Sequence, residues 1–326
     1  MAAMVEIAPG LWQIAVPVPF SLRCTYAYAV ALTQAAAGRH TDWVVVDLGP
    51  DLPSARRAWL EAEAHLGWTP GAIRLIVITH AHWEHLGLAA WAQQRWGALV
   101  ALLEPDLTWA IRLFGSQDGW QALAQWYIAH GLPEPGAQRI LSRAQRLCRT
   151  VHLPERWHCP VPGESIAGQT QEVKLLHQPG HTDGNLVAYL PQQKILLAGD
   201  QVLARVTPNI GIRPQGLANP LGAYLQSLQV LRDLEVTEAL PAHERPVRDL
   251  PARVAALTHH HHHRLARILA ALDAPKTAYE VLVSLFGAGL SAHHLQLAMD
   301  ETLAHLEYLR DAGQIGLENH RYRRLA

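Results

Sequence analysis

Residues 74–85 read RLIVITHAHWEH, an almost continuous apolar run followed at once by three histidines and a glutamate. The run RLIVIT is typical of a strand that is buried on both faces of a sheet. In α/β folds, ligand sites lie just beyond the carboxyl ends of such strands. In the following loop, His80 and His82 can face one side, while Glu84 and His85 face a neighbouring position. The stretch predicts a site for a metal such as zinc, with a solvated loop in a histidine-rich chain as the alternative.

Three further acid and imidazole groups follow strand-like segments later in the chain. His181 comes after EVKLLHQ, Asp200 closes KILLAGD, and His243 follows TEALP. Glycines beside His181 and Asp200 allow tight turns and a close approach of the backbone. Any one of these groups could be an ordinary loop residue. Together and in this order, they favour a metal centre assembled from separate loops.

The ordered set resembles the pattern of the metallo-β-lactamase superfamily. That pattern is H-x-H-x-D-H, a histidine in G-H-T-x-G, an aspartate in G-D and a histidine after a short strand. The matching stretches here are residues 80–85, 180–184, 199–200 and 242–243. The resemblance covers roughly residues 5–250 and implies a four-layered αββα sandwich. The turn in VVVDLG also matches the family and implies a structural role for Asp47.

The resemblance implies two divalent metal ions, most simply Zn²⁺, with Fe or Mn as alternatives. The implied ligands are His80, His82 and His181 for one ion, Glu84, His85 and His243 for the other, and Asp200 between the two. Such a pair of ions would activate a hydroxide for attack and polarise the scissile bond. Glu84 and Asp200 are therefore the candidate catalytic residues.

Glu84 departs from the family pattern, which has aspartate at this position. The extra methylene requires the carboxylate to fold back or the second ion to shift, and ligand distances in metal sites vary by only about 0.2 Å. Three interpretations are open: a complete two-metal site with adjusted geometry, a weak second site, or a preference for iron or manganese. Glu84 could also act as a general base. The two-metal site is the favoured interpretation.

The chain has 326 residues, which suggests one large domain and a small one. Residues 1–255 are predicted to form the catalytic domain, with a helical, aromatic-rich insert at about 104–158. The insert is predicted to be a lid, with ordinary helix packing as the alternative. Residues 256–326 are predicted to form a linker helix and a domain that resembles the winged helix of one branch of the family. The histidine run at 259–263 is predicted to be a solvated helix start.

Composition restricts the partners and the location. The net charge is −1, and the tail from residue 264 carries seven basic and seven acidic residues, so nucleic acid is not favoured. Three cysteines without a C-x-x-C pair, and an N-terminus unlike a signal peptide, predict a cytoplasmic location. The chain has no apolar run long enough to suggest a membrane span. A homodimer stays open.

The expected activity is hydrolysis of a small ester, thioester or lactone. The alternatives are a single-strand endoribonuclease or other nuclease of the same fold, and a non-catalytic metal-binding sensor. The predicted cytoplasmic location argues against a secreted lactamase that degrades antibiotics. If the substrate is small, a chain that ends near residue 258 is expected to remain active.

Overall fold

The computed structural model describes residues 4–19, 23–34, 40–116 and 118–325. The strands are, in chain order, β1 (Met4–Ala8), β2 (Leu11–Pro17), β3 (Cys24–Gln34), β4 (His40–Val46), β5 (Ile73–Val77), β6 (Leu99–Ala101), β7 (Trp157–His158), β8 (Ser165–Ala167), β9 (Glu172–His177), β10 (Leu186–Leu190), β11 (Ile195–Gly199), β12 (Glu238–Pro241), β13 (Ile315–Glu318) and β14 (Arg321–Arg324). The helices are α1 (Pro53–Leu66), α2 (Trp83–Leu86), α3 (Ala89–Trp96), α4 (Glu104–Ala110), α5 (Asp118–Ala129), α6 (Glu134–Cys148), α7 (Pro220–Arg232), α8 (Leu250–Ala271), α9 (Ala278–Phe286) and α10 (Ala292–Asp311), with a turn of π-helix at Ile111–Gly115.

Two sheets stack through a shared apolar core. One contains β1 to β7 in chain order, and the other has the order β12-β11-β10-β9-β8. Successive side chains of a strand point to opposite faces of its sheet. In β4, Val44 and Val46 therefore enter the core between the two sheets, whereas Trp43 and Val45 belong to the core on the outer face. Burial on both faces explains the nearly continuous apolar runs in the sequence.

Helices cover the outer faces of both sheets. Trp59 of α1 and Trp96 of α3 pack together over the seven-stranded sheet, with their ring centroids 5.4 Å apart. On the other side, Tyr224 and Leu228 of α7 join the same buried cluster as Val187 of β10. The four-layered αββα sandwich implied by the resemblance is confirmed.

The loop after β5 lies where the two sheets end together. The apolar run of the sequence forms β5, and the short helix α2 begins only three residues after His80. The Thr79 carbonyl accepts a hydrogen bond of 2.8 Å from the backbone N–H of Leu186 at the start of β10. The histidine-rich loop is therefore tied to both sheets at one edge of the sandwich.

The predicted helical insert consists of α4, the π-turn, α5 and α6. After it, β8 to β11 complete the second sheet. Helix α8 runs through residue 255, so the predicted boundary lies inside a helix and stays a prediction. Helices α9 and α10 and the β13–β14 hairpin follow α8, and their identity as a winged helix also stays a prediction. Within the described ranges, no helix combines the length and apolar character of a membrane span.

The histidine run at 259–263 lies in the middle of α8, so the prediction of a solvated helix start is wrong. His261 is only 1% exposed. Its ring packs edge-on against Tyr224 of α7, and its Nδ1 lies 3.1 Å from Nε2 of His305 in α10. Five consecutive residues point around a helix, and α8 packs against both α7 and α10. One histidine of the run must therefore face the interior.

Acidification is expected to destabilise the fold through this buried pair. Burial, together with nearby imidazole and guanidinium groups, lowers the pKa of His261 to about 2, and burial lowers that of His305 to about 4. In the unfolded chain both histidines take up a proton near pH 6.5. The stability that depends on their staying neutral is therefore complete above about pH 6.5 and is lost as the pH falls towards 4. Between pH 7 and 5 each histidine should cost roughly 2 kcal/mol of unfolding free energy.

Urea unfolding at the two pH values measures this loss. His261→Gln should make the difference between pH 7 and pH 5 smaller, whereas His262→Gln, which removes an exposed neighbour, should leave it unchanged. An equal difference in the parent and both variants would show that the buried pair does not carry the pH dependence.

Candidate metal centre

Six of the seven predicted ligand residues come together in two adjoining groups. The members are His80, His82, His181 and Asp200 in the first group, and His85, Asp200 and His243 in the second. Within each group, the candidate ligand atoms all lie within 4.8 Å of one another. Asp200 belongs to both groups, as expected of a bridging carboxylate. The ligand roles themselves stay a prediction.

The ring nitrogens of the first group face one another at contact distance. His80 Nε2 lies 2.9 Å from His82 Nδ1 and 3.3 Å from His181 Nε2. Burial, reinforced by neighbouring imidazoles and by Arg213, lowers the pKa of His80 and His82 well below the usual range. Burial also lowers the pKa of His181. Neutral imidazoles are the form in which histidine binds a metal ion.

The hydrogen bonds behind these rings fix which nitrogens carry protons. His181 Nδ1 lies 2.8 Å from the Asn209 carbonyl, which can only accept, so the proton of the neutral ring sits on Nδ1. The Thr79 hydroxyl donates to the Asp47 carboxylate and therefore accepts from His80 Nδ1 at 3.0 Å. Both Nε2 atoms then present lone pairs to each other across 3.3 Å. A cation between them would satisfy both, so the donor set fits a metal ion.

The second group surrounds an atom pair that lacks hydrogen-bond partners. His85 Nδ1 contacts Asp47 Oδ2 at 2.8 Å, whereas its Nε2 lies 3.7 Å from Asp200 Oδ2. His243 Nε2 lies 3.6 Å from Asp200 Oδ1. Among the described residues, buried His85 Nε2 and Asp200 Oδ1 have no hydrogen-bond partner. Burial opposes a charge on His85, but Asp47 and Asp200 raise its pKa well above the usual range, so the surroundings favour a cation here.

Asp47 contacts the second group through the ring nitrogen of His85 that points away from Asp200. Its backbone is in the left-handed region with φ 59°, which is uncommon for a residue other than glycine and often accompanies functional sites. The carboxylate accepts a hydrogen bond of 2.8 Å from the Thr79 N–H and also contacts His85. It therefore links the turn after β4 to the histidine loop, in agreement with the structural role implied by the resemblance.

Glu84 lies in α2 and belongs to neither ligand group. Its Oε2 is buried and has no hydrogen-bond partner in the part of the chain that the structure describes. Burial raises the pKa of Glu84, and the charge of His85 opposes this rise. The carboxylate therefore lies near the second group without reaching the other ligand atoms. Its roles as a ligand and as a catalytic residue stay predictions.

Asp106, which the sequence alone does not single out, is fully buried in the first turn of α4. Its carboxylate accepts hydrogen bonds from the Ala81 N–H at 2.7 Å and from the Gly184 N–H at 2.8 Å. Arg213 Nη1 lies 3.8 Å from the same carboxylate. Asp106 thus joins the loop of His82 to the loop of His181. No motif marks it, because acidic residues are common in the first turn of any helix.

A cavity of about 90 Å³ adjoins the first group at His82 and His181. Trp109 and Trp120 of the insert form part of its apolar wall, and Asp300 of α10 lies on its wall as well. Asn209 Nδ2 donates to the Leu297 carbonyl of α10 at 2.9 Å. A chain that ends near residue 258 would lose the part of this wall that α10 provides. The expectation that such a chain remains active is therefore not supported by the structure.

Comparison with known proteins gives a consistent result. Residues 35–267 match the family model described as the metallo-β-lactamase superfamily, and residues 265–323 match the one described as the metallo-β-lactamase-like C-terminal domain. The chain is 32% identical to a metallo-β-lactamase family protein from Thermus thermophilus, with a TM-score of 0.84 over 98% of this chain and 100% of that one.

Two curated relatives are also similar to the chain. It is 28% identical over 315 residues to the probable metallo-hydrolase YqjP of Bacillus subtilis (strain 168). The matched region covers 91% of each chain. It is 24% identical over 158 residues to the atrochrysone carboxyl ACP thioesterase of Aspergillus fumigatus, which is 48% of this chain and 35% of that one.

Proposed function

The chain belongs to the metallo-β-lactamase superfamily and is a metallo-hydrolase, and from this premise we propose that it hydrolyses a small ester, thioester or lactone. One observation carries the proposal: the lone pairs of His80 and His181 converge beside a partly apolar cavity. Imidazole and carboxylate donors of this kind suit zinc, so we propose two divalent ions, most simply Zn²⁺.

The proposed ligand sets are His80, His82, His181 and Asp200 for one ion, and His85, His243 and Asp200, with Glu84, for the other. When bound, such ions lower the pKa of a water molecule towards neutrality and polarise the scissile carbonyl. The Asp200 Oδ2 atom lies 3.7 Å from His85 Nε2 and 3.9 Å from His181 Nε2. One carboxylate at this point would join the two sets and fix their separation.

Asp47 and Asp106 would keep this arrangement rigid. Asp47 holds His85 by its outer nitrogen, and partners of this kind orient the ring of a metal-ligating histidine. Asp106 holds the backbone of the two loops that carry His82 and His181. Both residues are buried, so their carboxylates form hydrogen bonds to protein groups and are shielded from solvent.

The helical insert would serve as the lid. Trp109 and Trp120 line the cavity beside His82, so an acyl group whose carbonyl sits at the metal ions would extend along apolar rings. Similarity to the thioesterase of Aspergillus fumigatus favours a thioester within the proposed range. A cavity of about 90 Å³ suits a short substituent better than a nucleotide, which favours a small substrate over a nucleic acid.

A panel of short ester, thioester, lactone and phosphodiester probes tests the proposal on protein loaded with Zn²⁺. We expect turnover of at least one carbonyl probe, loss of that turnover after treatment with a chelator, and recovery when Zn²⁺ is returned. A chelator-treated sample without added metal is the control. Turnover of the phosphodiester probe alone would contradict the proposal.

A further inference from the structure

Asp300 stands out in the wall of the cavity because its carboxyl group has no cationic partner. Its Oδ1 accepts a hydrogen bond from the hydroxyl of Tyr127 in α5. The described part of the chain contains seventeen ion pairs within 4.0 Å, and the Asp300 carboxylate takes part in none of them. Asp300 is partly buried, and carboxyl groups removed from bulk water are normally paired, so this one calls for a partner.

Arg213, the basic side chain that lines the same cavity, is engaged elsewhere. Its guanidinium lies over the Trp109 ring, 5.3 Å from the centroid, and its Nη1 is 3.8 Å from Asp106 Oδ1. Burial raises the pKa of Asp300 to about 7, and Tyr127 and Arg213 only partly oppose this rise. Arg213 therefore does not neutralise Asp300 at close range.

The backbone beside Asp300 leaves the carboxyl accessible from the cavity. Gly211 lies directly opposite, and a Cβ at this position would come within 3.0 Å of Asp300 Cβ and 3.6 Å of Asp300 Oδ2. Any larger residue at 211 would press on the carboxyl group. Both residues line the cavity that begins at His82 and His181. A substrate group placed there would meet an acceptor oxygen.

We propose that Asp300 selects substrates whose acyl chain carries a hydrogen-bond donor, a hydroxyl or an amino group, a few atoms from the scissile carbonyl. This inference rests on the proposed function, which places the carbonyl at the histidine groups. The ionised carboxylate offers about four acceptor positions, and Tyr127 occupies only one of them. A substrate that ends in a methyl group would cover the carboxyl group without giving it a partner, and sites of this type discriminate strongly against such analogues.

Three thioesters of equal chain length, ending in methyl, hydroxyl or amino groups, test the inference. We expect kcat/KM of the metal-loaded parent to be higher for at least one donor probe than for the methyl probe, by about 10- to 100-fold, which is the range for a hydrogen bond to a charged group. In Asp300→Asn this ratio should fall by roughly tenfold or more. The amino probe should lose most, because the neutral amide no longer offsets the charge of the ammonium group.

Glu301→Gln is the matched control, since it removes the neighbouring carboxylate of α10. Glu301 pairs with Arg264 at 3.0 Å and is not part of the cavity wall, so its replacement should leave the ratio between probes unchanged. Melting temperature and metal content establish that Asp300→Asn is folded and loaded. Calorimetric binding of the three unreactive product acids gives the same comparison if the variant is inactive.

The two hypotheses fail in different ways. If the metal-loaded parent hydrolyses none of the three probes and no other carbonyl probe, the proposed function is wrong. If the parent hydrolyses all three probes equally well, or if the ratio is the same in Asp300→Asn, the role of Asp300 is wrong while the hydrolase activity stands. A preference for a probe that ends in a keto group, which only accepts hydrogen bonds, would likewise overturn the inference.

Discussion

Replacement of His80 and His82 together by alanine is expected to remove the first metal ion and to lower kcat/KM by on the order of 10⁴-fold or more. The two rings supply adjacent nitrogens, 2.9 Å apart, to the same group. Without them, His181 and Asp200 alone remain in that group. Elemental analysis of protein purified without chelators, with kinetics on the most reactive carbonyl probe, measures both effects.

Melting temperature gives an independent measure of the same change. A metal ion that binds the folded chain stabilises it, so the parent should melt at a higher temperature with metal than without it, and the double variant should lose most of this difference. His262→Ala, which removes an exposed histidine of α8, is the control and should behave like the parent. Equal metal content and equal melting temperature in the double variant and the parent would refute the first ligand group.

The second large effect is expected at Glu84. Glu84→Gln should lose the second ion and lower activity by roughly 10²- to 10⁴-fold, because a neutral amide oxygen is a poorer ligand and a poor proton acceptor. Glu84→Asp should keep or tighten that ion, since aspartate is the residue of the family pattern. Metal content per chain and kcat, measured on both variants, separate the two outcomes.

Glu61→Gln is the control for Glu84, because it removes an exposed carboxylate of α1. Glu84 lies outside both ligand groups in the structure, so a contrary result has a clear meaning. If both Glu84 variants hold two ions and turn over substrate like the parent, Glu84 is not a ligand. The second ion would then depend on His85, Asp200 and His243 alone.

The sequence was sufficient to predict the layered architecture and the residues that gather at the site. Apolar runs such as RLIVIT predict the buried strands. The resemblance of the polar groups after them to the family pattern predicts that these groups meet, although β5 lies in one sheet and β9 and β11 lie in the other. His80, His181 and Asp200 were identified in this way, and the structure brings them together. These features depend on local spacing, which is written directly in the chain.

The tertiary structure decided which side chains lie behind and beside that site. Asp106 contacts Ala81 across 25 positions and Gly184 across 78, and Tyr127 contacts Asp300 across 173. His261 is buried only because α7 and α10 cover that face of α8. Contacts of this kind depend on how separate elements pack, and neither the periodicity nor a motif of one segment contains that information.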